Sequence, residues 1–327
     1  MTSNGHQGNA LAELRARTAL RGAGLDPRTP LERASSVTNE VWMTATHVVR
    51  VNRSHDSRLA REAAVAAVLP PEVGYPRIVA HGGRPGEDWL VLERVPGRPL
   101  AHRWPEMTEA ERRSAVEQLG DRLRALHDTR APAGLLPLHG APQLLSADAD
   151  EPVAPLLTAL EHLGRLEHVD ALLAEEAAEV VRAGAPALQP FGSPTLVHGD
   201  LTFENVLWDD GKVTAVLDVE WARSGPRDID LDIILRCCAF PKLHVGPEHE
   251  AATRAEDYAE VPGWLRSSYP RLFAYPRLLD RLRVFAIAYE VRALLADPPT
   301  LPPSLQDPRS AYHRLHQAVT ATSYLDA

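Results

Sequence analysis

Asp200, Asn205 and Asp218 are two carboxylates and an amide whose types and spacing suit the transfer of a phosphoryl group. They lie in two stretches, Leu196-Val197-His198-Gly199-Asp200-Leu201-Thr202-Phe203-Glu204-Asn205 and Val216-Leu217-Asp218-Val219-Glu220-Trp221. On a loop, Asp200 can orient an acceptor hydroxyl and take its proton as transfer proceeds. Asn205 offers Mg2+ a neutral oxygen and Asp218 a charged one. The metal in turn offsets the charge on the phosphoryl oxygens, which lets several anionic groups share a small space. Asp and Asn are also common turn residues. Here, however, an apolar strand precedes the first Asp, the Asn follows at a fixed offset, and a hairpin and a second apolar strand lead into Asp218.

Elements must bring these residues together. Residues 206–217 are two β-patterned arms around Asp210-Gly211, the strongest short-range hairpin signal. Upstream, residues 40–44 and 46–52 are short β-branched runs, 58–69 an Ala-rich amphipathic helix started by Asp56 or Ser57, and 78–80 and 89–95 further strands. From residue 108 the pattern turns helical, over 108–129, 153–173 and 175–183, then from about 230, over 277–296 and over 310–322. The expected fold class is α+β, a bilobal kinase-like arrangement with a strand-rich N-lobe at 1–96 and a mainly helical C-lobe at 97–327 that carries the hairpin. The first ten residues are polar and are expected to be disordered.

The pattern H-x-D-x-x-x-x-N followed by a second Asp after a hairpin is that of protein kinases. Together with the Asp-x-Glu element at 218–220 it resembles the aminoglycoside phosphotransferase and choline kinase superfamily. The resemblance extends over roughly residues 34–240. Residues 89–97 look like the family's hinge strand, 119–127 like its L-x-x-x-L-x-x-L-H helix, and Gly225-Pro226 with 230–235 like its G-D-P-x-x-D-L-A segment, whose Asp supports the metal loop. It implies ATP or GTP as donor with Mg2+, and backbone groups from Glu93 to Val95 against the base. Arg50 would reach the phosphates where kinases more often have Lys, with Glu62 as its helix partner and Arg53 as the fallback cation. The phosphate loop at 34–40 contains no glycine, so Ser35, Ser36 and Asn39 would supply donors instead. The implied acceptor is a hydroxyl on a small molecule such as an aminoglycoside. Two other readings stay open, a kinase-like enzyme acting on Ser or Thr of a precursor peptide and a pseudokinase that binds a partner.

Bulk properties narrow the field. The chain has 327 residues, enough for two packed units, and no run approaches a membrane span. It reads as cytoplasmic, without a secretory signal, and as a monomer or homodimer. A formal charge of −9 argues against broad nucleic-acid binding. The adjacent Cys237 and Cys238 cannot face one another on a helix and read as buried thiols. Neither His313 with His316 nor the 244–250 loop completes a zinc site. The acidic stretch between Gly134 and Pro190 reads as a solvated face, or as a wall of an acceptor pocket. Trp264, Tyr269, Phe273 and Tyr275 would either flank that pocket or pack the last helices.

Overall fold

The computed structural model describes residues 3–34, 36, 38–135, 144–146 and 151–326, with side chains from residue 10 onward. Backbone packing divides the chain into two compact units, Met1–His139 with Phe203–Ala222, and Gly140–Thr202 with Arg223–Ala327.

The first unit holds α1 (Ser3–Gly22), β1 (Glu32–Ala34), β2 (Asn39–Met43), β3 (His47–Asn52), α2 (Arg58–Ala66), β4 (Ile78–Gly82) and β5 (Trp89–Glu93). The strands form one antiparallel sheet in the order β1-β2-β3-β5-β4. Alternation along β3 sends Val49 and Val51 to one face, into a core with Ala12, Ala16, Ala19 and Leu20 of α1. Leu90 and Leu92 of β5 face the opposite side and pack with Leu59 and Ala63 of α2 and with Val48. Arg50 and Asn52 share the parity of Val48, so β3 aims them at α2. Helix α1 begins inside the ten residues expected to be disordered. Its alanines recur at i, i+4 and i+7, an apolar stripe too small to stand out by hydrophobicity yet well matched to a sheet.

The same unit contains β6 (Arg98–Pro99), α3 (Leu100–Arg103), α4 (Glu109–His127), β8 (Val206–Asp209) and β9 (Lys212–Val216), the last two being the expected hairpin. Positive φ at Asp210 and Gly211 (43° and 76°) gives it the tight turn that Asp-Gly favours. Thr108 and Glu111 form a reciprocal capping box at the start of α4. Gln118 of α4 then pins the hairpin, donating to Gly211 O (3.0 Å) and accepting from Val213 N (2.9 Å). Packing therefore groups α3, α4 and the hairpin with the strand-rich part. The hinge drawn from sequence at 96/97 follows the chain and is a different partition.

The second unit contains α5 (Ala154–Leu163), α6 (Ala171–Gly184), β7 (Leu196–Val197), β10 (Arg223–Ser224), α7 (Asp228–Ala239), α8 (Val261–Ser268), α9 (Leu278–Ala296) and α10 (Ala311–Val319). The helix expected over 153–173 is interrupted, because Asp170 caps a new helix by accepting from Leu172 N (2.9 Å). Helix α9 packs against α5, α6, α7 and α10 and buries Leu282, Val284, Phe285, Ile287 and Val291. Tyr258 and Tyr269 are core residues of this unit, as are Cys237 and Cys238. Glu161, Glu167, Glu175, Glu176 and Glu179 are exposed, the solvated face of the two readings, while Asp148 and Asp150 lie outside the described residues.

Candidate active site

Within the first unit, three carboxylates, one from α2 and two from the turn that follows β9, converge on Arg50. Its Nη1 donates to both oxygens of Glu62 (2.6 and 2.7 Å), and its Nη2 to Asp218 Oδ1 (2.8 Å) and Glu220 Oε2 (3.2 Å). Tyr75 donates its hydroxyl to Glu62 (2.8 Å), Asn39 its amide to Glu220 (2.9 Å), and Arg58 reaches the other Glu220 oxygen (3.2 Å). Glu62 and Glu220 are buried, whereas the Asp218 side chain keeps 28% exposure, so solvent or a ligand reaches it.

The electrostatics follow from this crowding. Burial first, and then the charge of Asp218, push both Glu62 and Glu220 well above the ordinary carboxylate range, against the opposing pull of Arg50. Burial works against the charge of Arg50 too, but Asp218, Glu62 and Glu220 together hold its pKa well above the usual value. Arg50 and Arg58 between them serve four carboxylates, those of Asp56, Glu62, Asp218 and Glu220. Oxygens of Glu62, Asp218 and Glu220 lie within 4.8 Å of one another. Of the three, Asp218 keeps solvent exposure, and its hard oxygen suits a divalent cation such as Mg2+.

Local structure explains why these side chains meet. Helix α2 is anchored at its N-terminus by the buried Asp88, whose Oδ2 accepts from Leu59 N and Ala60 N (both 3.0 Å) and whose Oδ1 accepts from Asn52 (2.8 Å). Asp56 adds a longer bond from Arg58 N, and Ser57 gives no side-chain cap. A carboxylate on free amides at a helix N-terminus is favoured by both hydrogen bonding and the helix dipole. The anchoring places Arg58, Arg61 and Glu62, at i, i+3 and i+4, along one face. Asp218 takes a left-handed backbone (φ 61°, ψ 57°) and leads into a 3-10 turn at Val219–Trp221. Leu217 N donates to Asn205 O (2.8 Å), which ties Asn205 to the residue before Asp218.

Asp200 belongs to the second unit, half-buried on the loop that follows β7. Asp230, fully buried near the start of α7, accepts from His198 N (2.8 Å) and Gly199 N (2.7 Å) and so fixes the backbone leading into Asp200. Asp230, read from sequence as support for the metal loop, therefore holds the loop that carries Asp200. Asp200 N lies 3.4 Å from His198 Nδ1 and Gly199 adopts φ 83°, a conformation that glycine reaches without strain. Asp228 pairs with the buried Arg281 of α9, which bonds Ala187 O at 2.7 Å. Arg236 lies 4.0 Å from the centre of the Tyr289 ring, and burial, with the nearby charge of Asp200 adding to it, raises Tyr289.

Of the residues singled out from sequence, Arg50, Glu62 and Asp218 meet directly. Asn39 is brought to the same cluster, but on β2, with its amide engaged by Glu220 rather than in a loop beside phosphates. Ser36 lines an open cavity of about 350 Å³ with Arg33, Asn39, Glu40 and Arg53, and Ser35 lies outside the described residues. In the stretch read from sequence as a hinge strand, Glu93 N donates to Arg77 O and Arg94 N to Thr46 O, while among the described residues Val95 N makes no backbone bond. Glu220, Arg58, Arg61, Tyr75 and Asp88 had no assigned role. The Asp-x-Glu element and the charged spacing along 58–62 were the available signals for the first three. Tyr75 and Asp88 carry none.

Residues 30–242 match the phosphotransferase enzyme family known as APH. Over 163 residues the chain is 34% identical to an aminoglycoside 3'-phosphotransferase of Streptomyces fradiae, a match that spans 49% of this chain and 56% of that protein. Among solved structures it resembles ADP-bound aminoglycoside phosphotransferase APH(2'')-Ib, with a TM-score of 0.60, 15% identity and 91% and 94% of the two chains covered. It also resembles a choline/ethanolamine kinase family protein from Mesorhizobium loti, with a TM-score of 0.58, 18% identity and coverage of 97% and 94%. These neighbours share an α+β kinase-like fold. By its sequence match over residues 30–242, which take in everything from β1 to the end of α7, the chain belongs to the phosphotransferase enzyme family.

Proposed function

We propose that the chain is a Mg2+-dependent O-phosphotransferase that moves the γ-phosphate of ATP or GTP to a hydroxyl of a small molecule, with an aminoglycoside the first acceptor to try. The convergence of Arg50, Glu62 and Asp218 carries this reading, since it joins a phosphate-seeking cation to its helix partner and to a carboxylate suited to Mg2+. Residues 1–96 would then bind the nucleotide and 97–327 the acceptor. Asp200 receives the hydroxyl proton while the acceptor oxygen bonds to the γ-phosphorus and the bond to the β-phosphate oxygen breaks, leaving a nucleoside diphosphate. Arg50, aligned by Glu62, holds the phosphates of the donor. Asp218 and Asn205 would hold Mg2+, which would supply positive charge against the phosphoryl oxygens.

The test is mass spectrometry of acceptors incubated with the protein, Mg2+ and either nucleotide, a Ser/Thr peptide included for comparison. A small-molecule product one phosphate heavier is expected. Asp200→Asn should lower kcat by about 10²–10⁴-fold, the usual contribution of a positioned base. Turnover by that variant within about threefold of the wild type, far short of that contribution, would sink the assignment.

A further inference from the structure

Helix α2 grips the segment after Asp218 by backbone as well as by side chain. The Nε of Arg61 donates to Glu220 O (3.3 Å) and its Nη2 to Ala222 O, so one guanidinium spans the 3-10 turn that begins at Val219. Arg61 is 4% exposed, and burial pushes its pKa down, so enclosing a cation here opposes folding. An apolar side chain could fill the same helix face without that penalty. What it could not do is hold two carbonyls of one turn; a guanidinium has donors in a fixed fork, and an ammonium is a single point.

The held turn starts directly after a strained residue. Asp218 sits at φ 61°, a region that costs an L-residue roughly 1–2 kcal/mol and persists only where surrounding bonds over-determine it. On its N-terminal side the bond from Leu217 N to Asn205 O supplies one restraint. On its C-terminal side the bonds from Arg61 supply the other, and Arg58 adds a contact to the Glu220 carboxylate and stacks 5.6 Å from the centre of the Trp221 ring.

We propose that Arg61 is a positioning residue for phosphoryl transfer: by holding the carbonyls of Glu220 and Ala222 it keeps Asp218 turned toward Arg50 and ready for Mg2+. This rests on the function proposed above for its link to catalysis, while the grip on the turn stands on geometry alone. The grip makes the position of α2 and the orientation of Asp218 one mechanical unit, joined by Arg61 through backbone and by Glu62 through Arg50.

The experiment compares wild type, Arg61→Met and Arg61→Lys by two readouts. The first is hydrogen–deuterium exchange of the peptide spanning residues 218–222 without nucleotide. The second is the Mg2+ concentration that half-saturates thermal stabilisation by a non-hydrolysable ATP analogue. Faster exchange in that peptide and a half-saturating Mg2+ concentration about tenfold higher are expected for Arg61→Met, as when a partner that orients a metal ligand is lost. Arg61→Lys should fall between the two, and kcat should drop more than the acceptor KM rises. Exchange and Mg2+ requirement both within twofold of wild type, which no lost ligand-orienting contact would give, would overturn the proposal. So would a lowered melting temperature with an unchanged Mg2+ requirement, since that is what a purely structural side chain gives. Should Arg61→Met fail to fold, Arg61→Lys and Arg61→Gln carry the same readouts. If the wild type shows no Mg-nucleotide stabilisation at all, the phosphotransfer reading falls. Exchange at 218–222 then still decides the grip, unchanged rates overturning it and faster rates sustaining it.

Discussion

A guanidinium shared among three carboxylates cannot be replaced by another cation without loss. Arg50 serves Glu62 with one nitrogen and Asp218 and Glu220 with the other, so its planar fork sets the separation of the two groups. Arg50→Lys keeps the charge but offers one point where the site uses two. We expect the nucleotide KM to rise roughly 10–100-fold, the scale of one charge-assisted hydrogen bond, with the melting temperature little changed. Arg50→Met removes the charge and leaves Glu62 buried beside Asp218. Breaking a buried pair in this way costs about 3–5 kcal/mol, read as a lower urea midpoint, and added Mg2+ should restore part of it by supplying a replacement charge. An unchanged midpoint in Arg50→Met would show that the cluster does not hold the unit together. The Arg50–Glu62 pairing was legible from sequence because a strand cation and a helix acid are a recurring pair. Arg61 was not, because the partners of Arg61 are carbonyls, which every residue has and no motif marks.

At the scale of elements, the site depends on how α2 is started. The helix was legible from its alternation of alanines with charges. Its anchor was not, since Asp88 lies some thirty residues further along the chain and the nearer Ser57 forms no cap. Asp88→Ala would leave two buried amides and the Asn52 side chain short of their acceptor. Loss of a charged cap with several bonds should cost about 2–4 kcal/mol, beyond the ~1 kcal/mol of an ordinary cap. Because α2 carries Glu62 and Arg61, the same variant should weaken Mg-nucleotide binding although Asp88 lies outside the cluster around Arg50. Calorimetric titration with the ATP analogue measures that second effect, and equal affinity in a destabilised variant would separate the anchor from the site. The hairpin shows the opposite case. Asp210-Gly211 encoded its turn outright, yet the helix it packs against is held in part by Gln118, a polar residue whose reach no pattern reveals.

Across the whole molecule, the buried titratable groups of the two units respond to pH with opposite signs. Glu62 and Glu220 have raised pKa values, so the folded first unit binds protons more readily than the unfolded chain, and this contribution fades as pH rises above the usual carboxylate range. In the second unit, His244 is driven down to about 3 by burial first and then by Arg236 and Arg314, and its Nε2 is enclosed without a hydrogen-bond partner among the described residues. From sequence the 244–250 loop reads only as an incomplete zinc site, because nothing local shows that Arg236, Arg314 and Glu290 form a buried ion cluster nearby. The unfolded chain protonates His244 below its ordinary pKa of 6.5 while the folded chain does not, so its contribution is complete above pH 6.5 and is lost as pH falls toward 3. With the residue only partly buried overall, the expected loss between pH 8 and pH 5 is about 1–2 kcal/mol. Urea midpoints at those two pH values, for wild type and His244→Gln, isolate this term because the opposing carboxylates are common to both proteins. A smaller pH-induced drop in the variant is the expected result, and parallel drops would mean that the imidazole reaches water when the unit is folded.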